Sequence, residues 1–471
     1  MKSKIFIAQC QAIVGIAHVL TDDQSLLPYL TDCRKRFIGK ACAVVFPATT
    51  EEVSQIVQLC GTFNIPIVPQ GGNTGTVLGS VPDTTGKALI LSLKRMNRIR
   101  EIDAENNTMT VDAGCLLDNI HVAAEQCDRL FPLSLASSGS CTIGGNLATN
   151  AGGTAVLRYG TARDLCLGIE AVLPDGSIWH GLYKLRKNNT GYDLRDLFIG
   201  SEGTLGIITA AVLKLFPKPR YKQTAWIAVN SPLHALQLLH IAQKTSDTLL
   251  TTFELISHPS LHVVLKHFPD LKAPFESIAP YYILLELSGN ESDDSLANIL
   301  ETILQTALEQ ECIMDASIAQ SIAQAKNFWA LRENISAAQA REGKNIKHDI
   351  SVPVSQIPAF IENTDAKLQI AFPGCKMTTF GHLGDGSLHY NVGAPENISD
   401  DAFLLEQNRV NQVVYDNVAQ FNGAISAEHG LGALKHDKNV HYKDSIEIQL
   451  MRQIKQAIDP KNIMNPGKVI P

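Results

Sequence analysis

Hydrophobic residues near the start of the chain recur at helical spacing. Ile5, Ala8, Ala12, Ile16 and Leu20 would fall on one face of a helix. Polar residues interrupt the apolar run, which is unlike the continuous apolar core of a signal peptide. We therefore predict a structural helix at the N-terminus that buries this face.

From about residue 41 to residue 216, short apolar runs alternate with helical spacing and glycine-rich turns. Strands are predicted at the apolar runs 43–47, 65–69, 88–92 and 108–111. A helix is predicted to begin after Thr49, because its side chain can cap the first turn and Glu51 and Glu52 lie at the positive end of the helix dipole. Its buried face, at spacing i, i+3, i+4, i+7, consists of Val53, Ile56, Val57 and Cys60.

The pattern changes after the proline-rich step at residues 216–219, which we interpret as a domain boundary. Long helical patterns at 233–245 and 295–309 flank an apolar strand at 281–287. This mixture indicates a second, α+β domain. A further helix is predicted at 446–458, before an Asp-Pro step.

Size and charge narrow the classes of protein. A length of 471 residues predicts two or three domains. The formal net charge of −7 argues against nucleic-acid binding, which requires a surplus of Lys and Arg in a patch. The sequence contains no run of about 20 apolar residues, so we predict no membrane-spanning helix.

The ten cysteines are scattered singly, without a Cys-x-x-Cys pair. That spacing excludes the usual ligand patterns of iron–sulfur clusters and zinc ribbons. We interpret each cysteine as a small buried apolar residue. Unpaired cysteines predict a cytoplasmic location, with a peripheral position at the inner face of the membrane left open.

Three segments, residues 68–75, 137–153 and 200–208, concentrate glycines next to apolar runs. Glycine allows backbone N–H groups to curl around an anion. The first segment has neither the Gly-Lys-Ser/Thr of a P-loop nor a Gly-x-Gly-x-x-Gly fingerprint. The second is too rich in glycine for the interior of a helix or strand. A bound pyrophosphate would explain it, and a purely structural loop is the alternative.

A second group of residues carries metal-ligating chemistry. Residues 378–392 predict two strands around a Gly-Asp-Gly turn, with His382 where the turn begins. His389 and Asn391 share one face of the second strand. Glu428 and His429 are adjacent further along the chain. Because two imidazoles and a carboxylate form a common catalytic metal set, a metal site is favoured over unrelated core or surface histidines.

These blocks resemble the flavoprotein class of vanillyl-alcohol oxidase and p-cresol methylhydroxylase, and most closely its D-lactate, glycolate and D-2-hydroxyglutarate dehydrogenase branch. The resemblance extends from residues 47–53 through the glycine segments to residues 459–468. It implies an α+β fold. Its parts would be an N-terminal helical segment (1–40), a two-subdomain FAD-binding domain (41–217), an α+β substrate or cap domain with the metal motif (218–420), and a helical C-terminal segment packing back on the FAD domain (421–471).

The resemblance also implies the contacts with FAD. The implied residues are Pro69, Gly71, Gly72, Asn73, Thr74, Gly75, Ser138, Gly139, Thr142, Gly145, Asn146, Thr149, Asn150, Gly152, Gly153, Glu202, Gly203 and Ile207. The first loop would hold the pyrophosphate, the second the flavin and ribityl groups, and the last three residues the adenine end. No histidine stands in these loops to tether the flavin, so non-covalent FAD is expected.

By the same resemblance, His382, His389 and Glu428 would bind a divalent metal and His429 would be the general base. Zinc is the first choice for this set, and manganese or iron would also suit it. The metal would lower the pKa of the substrate hydroxyl, His429 would take the proton, and hydride would pass from C2 to flavin N5. The substrate carboxylate would be held by Arg332, by Ser336 at i+4 on the same helical face, by Lys347 and by Asn391.

Two departures from the family pattern leave the substrate open. Ser387 stands where the family's turn usually has asparagine, and Ser336 stands where a close relative would have threonine. Lys347 beside Arg332 favours a diacid such as D-2-hydroxyglutarate. D-Lactate, glycolate and malate remain alternatives, because each presents the same α-hydroxy carboxylate.

Three other functions compete with a D-2-hydroxy-acid dehydrogenase. They are an oxygen-using oxidase of the same class, a metal-dependent hydrolase that leaves the glycine segments unexplained, and an inactive flavin-binding protein, against which Glu428 and His429 argue. A dehydrogenase without cysteine clusters needs an external electron acceptor, such as a quinone, a cytochrome or an electron-transfer flavoprotein. The oligomeric state is left open, a homodimer included.

Overall fold

The computed structural model describes residues 2–470, which form two compact units. The first unit contains residues 2–152, 160–218 and 429–470. The second unit contains residues 153–159 and 219–428. Within the described range, no helix combines the length and the apolar character needed to cross a bilayer.

The first unit is a mixture of helices and strands. Its helices are α1 (Lys2–Val14), α2 (Asp23–Leu30), α3 (Thr50–Phe63), α4 (Leu117–Gln126), α5 (Ile143–Ala148), α7 (Arg195–Phe198), α16 (His436–Tyr442) and α17 (Ser445–Ile458). Its strands are β1 (Val19–Leu20), β2 (Ala43–Val45), β3 (Ile67–Gln70), β4 (Leu89–Ser92), β5 (Ile99–Asp103), β6 (Thr108–Asp112), β7 (Arg129–Leu130), β8 (Cys166–Val172), β9 (Ile178–Gly181), β10 (Ile207–Lys214) and β11 (Phe216–Pro217).

The first unit contains two larger sheets and the two-stranded sheet β11-β7. One sheet has the strand order β1-β2-β4-β3, in which β4 pairs in parallel with both β2 and β3. The other has the order β5-β6-β10-β8-β9 and is antiparallel. Helix α3 connects β2 to β3, and the Thr49 side chain accepts a hydrogen bond from the Glu52 N–H, as its sequence predicts. Its predicted face is buried in the core of the first sheet.

The predicted buried face of the N-terminal helix is wrong, although the helix itself is present. Phe6, Cys10 and Val14 are buried in the core, whereas Ile5 is 47% exposed and Ala8 is also exposed. The ring of Phe6 packs edge-on against Phe63 of α3. The physical reason is that the aromatic side chain has more apolar surface to bury than the residues of the predicted stripe.

The interpretation of all ten cysteines as buried residues is also wrong in part. Cys33 is exposed, and Cys42 and Cys127 are half-buried. Cys33 lies in the turn-rich segment between α2 and β2, where its thiol donates a hydrogen bond to the carbonyl of Gly75. The other cysteines are buried, as predicted.

The second unit is built around an antiparallel sheet. Its helices are α6 (Val156–Tyr159), α8 (Pro232–Ser246), α9 (His258–His267), α10 (Asp293–Glu309), α11 (Ile322–Glu333), α12 (Ile335–Glu342), α13 (Ile357–Ala371), α14 (Asp400–Leu404) and α15 (Gln407–Gln420). Its strands are β12 (Tyr221–Val229), β13 (Leu250–Ser257), β14 (Tyr281–Gly289), β15 (Asp315–Ile318), β16 (Asn345–Ser351), β17 (Lys376–His382) and β18 (Ser387–Gly393). The strand order is β15-β12-β14-β13-β17-β18-β16.

One face of this sheet is covered by helices α9, α11 and α12. Its apolar core includes Trp226, Ile256, Leu284, Phe328 and Phe380. Residues that lie opposite each other in an antiparallel pair point to the same face of the sheet. The strand register therefore identifies the polar residues that point to the same face as this core.

Candidate functional site

The first unit contains a cleft of about 960 Å³ between its glycine-rich segments. The loop after β3, the start of α5 and the turn before β10 form its walls, and His429 also lines it. The residues implied by the sequence that line the cleft are Pro69, Gly71, Gly72, Asn73, Thr74, Gly75, Thr142, Gly145, Asn146, Thr149, Glu202, Gly203 and Ile207. Segments separated by more than 100 residues thus meet at one place.

Some of the implied cofactor residues do not line this cleft. They are Ser138, Gly139, Asn150, Gly152 and Gly153. Gly153 belongs to the second unit. The Asn150 side chain accepts a hydrogen bond from the backbone N–H of Arg163, so it stabilises the fold of the first unit.

The glycines of the cleft are required for two different reasons. A Cβ at Gly72 would lie 1.9 Å from the Ser140 carbonyl oxygen, and one at Gly71 would lie 2.2 Å from Thr142 Oγ1, so these glycines allow the two loops to pack together. A Cβ at Gly75 would meet no atom within 4 Å. The space beside Gly75 is therefore available to a ligand.

Polar atoms in the cleft fit a polar ligand. Thr142 Oγ1 and the side-chain oxygen of Asn146 are buried and have no hydrogen-bond partner within the described residues. Buried polar atoms are normally hydrogen-bonded, and each one left without a partner costs about 1–3 kcal/mol. The Thr142 hydroxyl, which can donate or accept, the Asn146 oxygen, which accepts, and the open space beside Gly75 together fit a bound nucleotide.

Two other polar residues of the cleft already have protein partners. The Asn73 side chain donates to the carbonyl of Thr31. The Glu202 carboxylate accepts from the backbone N–H groups of Leu431 and Gly432, at 2.6 and 2.8 Å. Burial raises the pKa of Glu202, while these two N–H groups oppose the rise. Both side chains shape the cleft by holding neighbouring segments in place.

The second candidate site lies on the helix-covered face of the sheet in the second unit. The register places Glu254 of β13 opposite His382 of β17. On the next strands, His389 lies opposite Asp349, and Asn391 lies opposite Lys347. These side chains therefore point to one face, along neighbouring strands. The predicted strands and the tight turn between β17 and β18 are confirmed.

His382 is held between two carboxylates. Its Nδ1 lies 2.5 Å from Glu254 Oε1, and its Nε2 lies 3.0 Å from Glu428 Oε1. The ligand atoms of His382, His389 and Glu428 all lie within 4.8 Å of one another. Imidazole and carboxylate groups at this spacing, with one imidazole oriented by a second carboxylate, form a donor set that fits a divalent cation.

The electrostatics of the cluster favour positive charge at this position. Burial lowers the pKa of His382, but Glu254 and Glu428 raise it well above its ordinary value. Burial raises the pKa of Glu254, but His382 and Arg332 together hold it at about 2. Burial also raises the pKa of Glu428, and His382 and His389 bring it below its ordinary value.

The segment that carries Glu428 is held against β16. The Asp349 carboxylate accepts hydrogen bonds from the backbone N–H of Glu428 at 3.2 Å and from the hydroxyl of Ser426 at 3.3 Å. Ser351 and Ala424 exchange backbone hydrogen bonds nearby. Asp349 therefore fixes the backbone position from which Glu428 projects.

The structure brings Arg332 to the cluster but separates it from Ser336. Arg332 is 8% exposed, and its Nε and Nη2 lie 2.8 and 2.7 Å from Glu254 Oε2. The predicted single helix is wrong, because α11 ends at Glu333 and α12 begins at Ile335. Ser336 is exposed and does not share the buried position of Arg332.

Lys347 and Asn391 are brought together by the pairing of β16 with β18. Lys347 is half-buried, and Asn391 is buried. The Asn391 amide donates to the side-chain oxygen of Gln339 on α12, at 2.8 Å. Gln339 is thus a further polar residue on this face, which the sequence did not single out.

Sequence reasoning also missed Glu254. An acidic residue inside the apolar run 250–257 is a signal that could have indicated it, because a buried carboxylate requires partners. The partners themselves, Arg332 and His382, lie 78 and 128 residues away along the chain. No local pattern connects residues at such separations.

Two protein families match the chain. The family described as FAD binding domain matches residues 41–181, and the family described as FAD linked oxidases, C-terminal domain, matches residues 218–469. The second match alone covers more than half of the chain.

Curated relatives match over nearly the whole length. The mitochondrial D-2-hydroxyglutarate dehydrogenase of Arabidopsis thaliana is 38% identical over 459 residues, which cover 98% of this chain and 80% of that protein. The D-2-hydroxyglutarate dehydrogenase of Xanthomonas citri pv. viticola is 37% identical over 464 residues, which cover 98% of this chain and 96% of that protein.

Solved structures show the same fold at lower sequence identity. p-Cresol methylhydroxylase with substrate bound superposes with a TM-score of 0.76 at 16% identity, covering 99% of this chain and 96% of that one. 4-Ethylphenol oxidase from Gulosibacter chungangensis gives a TM-score of 0.75 at 18% identity, covering 99% and 97%. The predicted α+β fold of the p-cresol methylhydroxylase type is confirmed.

Proposed function

Because the chain belongs to the family of FAD-linked oxidases that includes the D-2-hydroxyglutarate dehydrogenases, we propose that it oxidises D-2-hydroxyglutarate to the 2-oxo acid with the help of a divalent metal. It is an FAD-linked oxidoreductase. One observation carries the metal-assisted reaction. It is the cluster in which His382, His389 and Glu428 offer ligand atoms within 4.8 Å, beside the buried guanidinium of Arg332.

Each group has a distinct role in this proposal. His382, His389 and Glu428 would hold the cation, preferably Zn²⁺, which would act as a Lewis acid and lower the pKa of the substrate hydroxyl. FAD would supply the two-electron acceptor, flavin N5, for the hydride of substrate C2. His429 takes the hydroxyl proton, so that the substrate loses two electrons and two hydrogens in total.

The substrate carboxylates need cationic and hydrogen-bonding partners. Arg332 suits a carboxylate, because its planar guanidinium can donate two parallel hydrogen bonds. Lys347 and Asn391, which lie opposite each other on β16 and β18, suit a second carboxylate. This arrangement supports a diacid as the preferred substrate.

The glycine cleft of the first unit would hold FAD without a covalent bond. Among the described residues that line the cleft, the histidine is His429, and we assign this residue the role of general base rather than of a flavin tether. After the N-terminal helical segment, we assign residues 41–217 to flavin binding and residues 218–420 to the binding of substrate and metal. The segment 421–471 supplies Glu428 and His429. Electrons would then pass to an external acceptor such as a quinone, a cytochrome or an electron-transfer flavoprotein.

The test is the visible spectrum of the purified protein during anaerobic addition of D-2-hydroxyglutarate. We expect the flavin band to bleach with the D-enantiomer, more slowly with D-lactate, and to persist with the L-enantiomer as the matched control. The flavin should be released when the protein is denatured. A flavin band that no 2-hydroxy acid bleaches would contradict the proposal. Rapid oxygen consumption by the reduced protein would instead favour an oxidase.

A further inference from the structure

Glu254 carries a buried charge and has no role in the reaction proposed above. Its side chain is fully buried on β13, between β14 and β17 of the sheet in the second unit. A carboxylate buried away from water is unfavourable unless several partners compensate it, and such a residue often has a role beyond stability.

The two oxygens of Glu254 bind two different groups. Oε1 lies 2.5 Å from His382 Nδ1, and Oε2 lies 2.8 and 2.7 Å from Nε and Nη2 of Arg332. The guanidinium of Arg332 also lies over the ring of Phe380, with 5.0 Å between the Arg332 Cζ and the ring centroid. One carboxylate thus joins a residue of the metal cluster to the proposed substrate-binding arginine.

Each contact constrains its partner. Because an ionised carboxylate only accepts hydrogen bonds, His382 must carry a proton on Nδ1, and its Nε2 is then the atom that faces Glu428. Glu254 occupies the side-on edge of the Arg332 guanidinium, formed by Nε and Nη2. The end-on edge, formed by Nη1 and Nη2, is the edge that this contact leaves to a substrate carboxylate.

We propose that Glu254 is a positioning residue that sets, with one carboxylate, both the metal-facing nitrogen of His382 and the substrate-facing edge of Arg332. This inference rests on the proposed function, since it uses the roles given there to His382 and Arg332. It adds that the affinity for the metal and the affinity for the substrate both depend on the Glu254 carboxylate. Loss of this carboxylate weakens the binding of both.

Glu286 provides a matched control. It lies on the neighbouring strand β14, is also buried, at 5% exposure, and accepts a hydrogen bond from Trp329 on α11, three residues before Arg332. It also pairs with Lys222. Glu286→Gln therefore removes a buried charge from the same sheet face, at a residue that contacts the same helix α11, without touching the cluster.

The experiment compares Glu254→Gln with Glu286→Gln in FAD-containing protein from which metal has been removed by a chelator. Zn²⁺ affinity is measured by competition with a chromogenic chelator. We expect Glu254→Gln to weaken Zn²⁺ binding about 10- to 100-fold, the usual loss when a carboxylate behind a metal-bound histidine is removed. Glu286→Gln should leave it unchanged. Equal affinities in the two variants would overturn the proposal.

A second measurement tests the effect of Glu254 on carboxylate binding by Arg332, separately from its effect on the metal. Binding of 2-oxoglutarate to the metal-free protein, followed by the change in the flavin spectrum, should be weaker in Glu254→Gln and unchanged in Glu286→Gln. Unchanged binding in Glu254→Gln would overturn the arginine half of the proposal. A wild-type protein whose flavin is never reduced by D-2-hydroxyglutarate would instead overturn the proposed function, so the two failures are distinguishable.

Folding of the variants needs its own check. Thermal unfolding and flavin content should match those of the wild type, and Glu254→Asp, which keeps the charge but is one methylene shorter, serves if Glu254→Gln does not fold. The wild type alone gives a further readout. ¹⁵N NMR of the histidine-labelled, zinc-loaded protein should show a protonated Nδ1 and a metal-bound Nε2 for His382. A metal-bound Nδ1 would overturn the proposal.

Discussion

The two candidate sites of this protein are built from different material. In the first unit, the cleft is formed mainly by backbone, and glycine removes side chains so that loops and ligand can approach. In the second unit, the cluster is formed by charged side chains that project from neighbouring strands of one sheet. A backbone site tolerates few side chains, whereas a side-chain site depends on the identity and the register of each residue.

The largest expected effect is the loss of metal from the side-chain site. Removal of the cation by a chelator, or the substitution His389→Ala, should lower turnover about 10³-fold, because a Lewis acid supplies several kcal/mol of transition-state stabilisation. Turnover of D-2-hydroxyglutarate with a dye acceptor measures this, and added Zn²⁺ should restore activity only in the wild type. Unchanged flavin content is the control, and full activity with background metal content would contradict the prediction.

The next effect concerns His429, which lines the backbone cleft. The substitution His429→Gln should lower kcat about 10²- to 10⁴-fold, because it removes the proposed general base. Zn²⁺ affinity and flavin content should both stay at the wild-type values, which separates this loss from the first prediction. A variant with wild-type kcat would show that another group takes the hydroxyl proton.

A pair of glycine substitutions tests the backbone site. In Gly72→Ala the new Cβ would lie 1.9 Å from the Ser140 carbonyl oxygen, so we expect destabilisation of about 1–3 kcal/mol, typical of overpacking. In Gly75→Ala the Cβ meets no protein atom within 4 Å, so stability should be unchanged while FAD binding weakens. Thermal unfolding of the FAD-free protein and fluorescence titration with FAD measure the two effects.

The opposite result for this pair would also be informative. If Gly75→Ala bound FAD as tightly as the wild type, the open space beside Gly75 would not be part of the cofactor site. If both variants lost stability equally, the distinction between glycines that pack against protein and glycines that face a ligand would be wrong.

The smallest effect concerns Asp365 of α13, away from both sites. Burial raises its pKa from 3.8 to about 6, while the hydrogen bond from the Tyr390 hydroxyl opposes the rise, and Tyr281 and Cys375 also face it. The folded protein therefore keeps a proton between about pH 4 and pH 6 that the unfolded chain has lost. Its contribution to stability is present below this window and is lost as the pH rises through it.

The substitution Asp365→Asn should remove this pH dependence, because the amide oxygen still accepts the Tyr390 hydrogen bond without a charge. Near neutral pH, we expect the variant to be more stable than the wild type by roughly 1–3 kcal/mol, the free energy of a shift of about two pKa units with allowance for solvent. Urea unfolding at about pH 4 and pH 7 measures this. An equal difference at both pH values would contradict the prediction.

Local patterns predicted much of the fold. The cap at Thr49, the face of α3 and the strands around the turn at residues 383–386 all depend on residues close together in sequence, and all are confirmed. The buried face of α1 was not predictable from spacing alone, because competing apolar stripes share that helix. Packing against Phe63 and the rest of this core selects the stripe that contains Phe6.

The two sites differ in how far the sequence predicted them. The glycine segments and the two histidines form dense local motifs, so their residues could be identified directly. Glu254 and Gln339 carry no motif, and their importance follows from the pairing of strands and from helices packed on one sheet face. The break between Arg332 and Ser336 was equally hidden, because Asn334 interrupts a sequence of ordinary helix-forming residues.

The order of the chain through the two units has a consequence for biosynthesis. The backbone N–H of Ile67 donates to the carbonyl of Ile463, and Asn465 donates to the carbonyls of Gly79 and Glu202, so residues from 429 onward complete the walls around the cleft. A ribosome makes the three glycine-rich segments first and then all of residues 219–428 before this segment emerges. The candidate cleft is therefore still unfinished while the second unit is made, and we expect its ligand to be captured late in maturation.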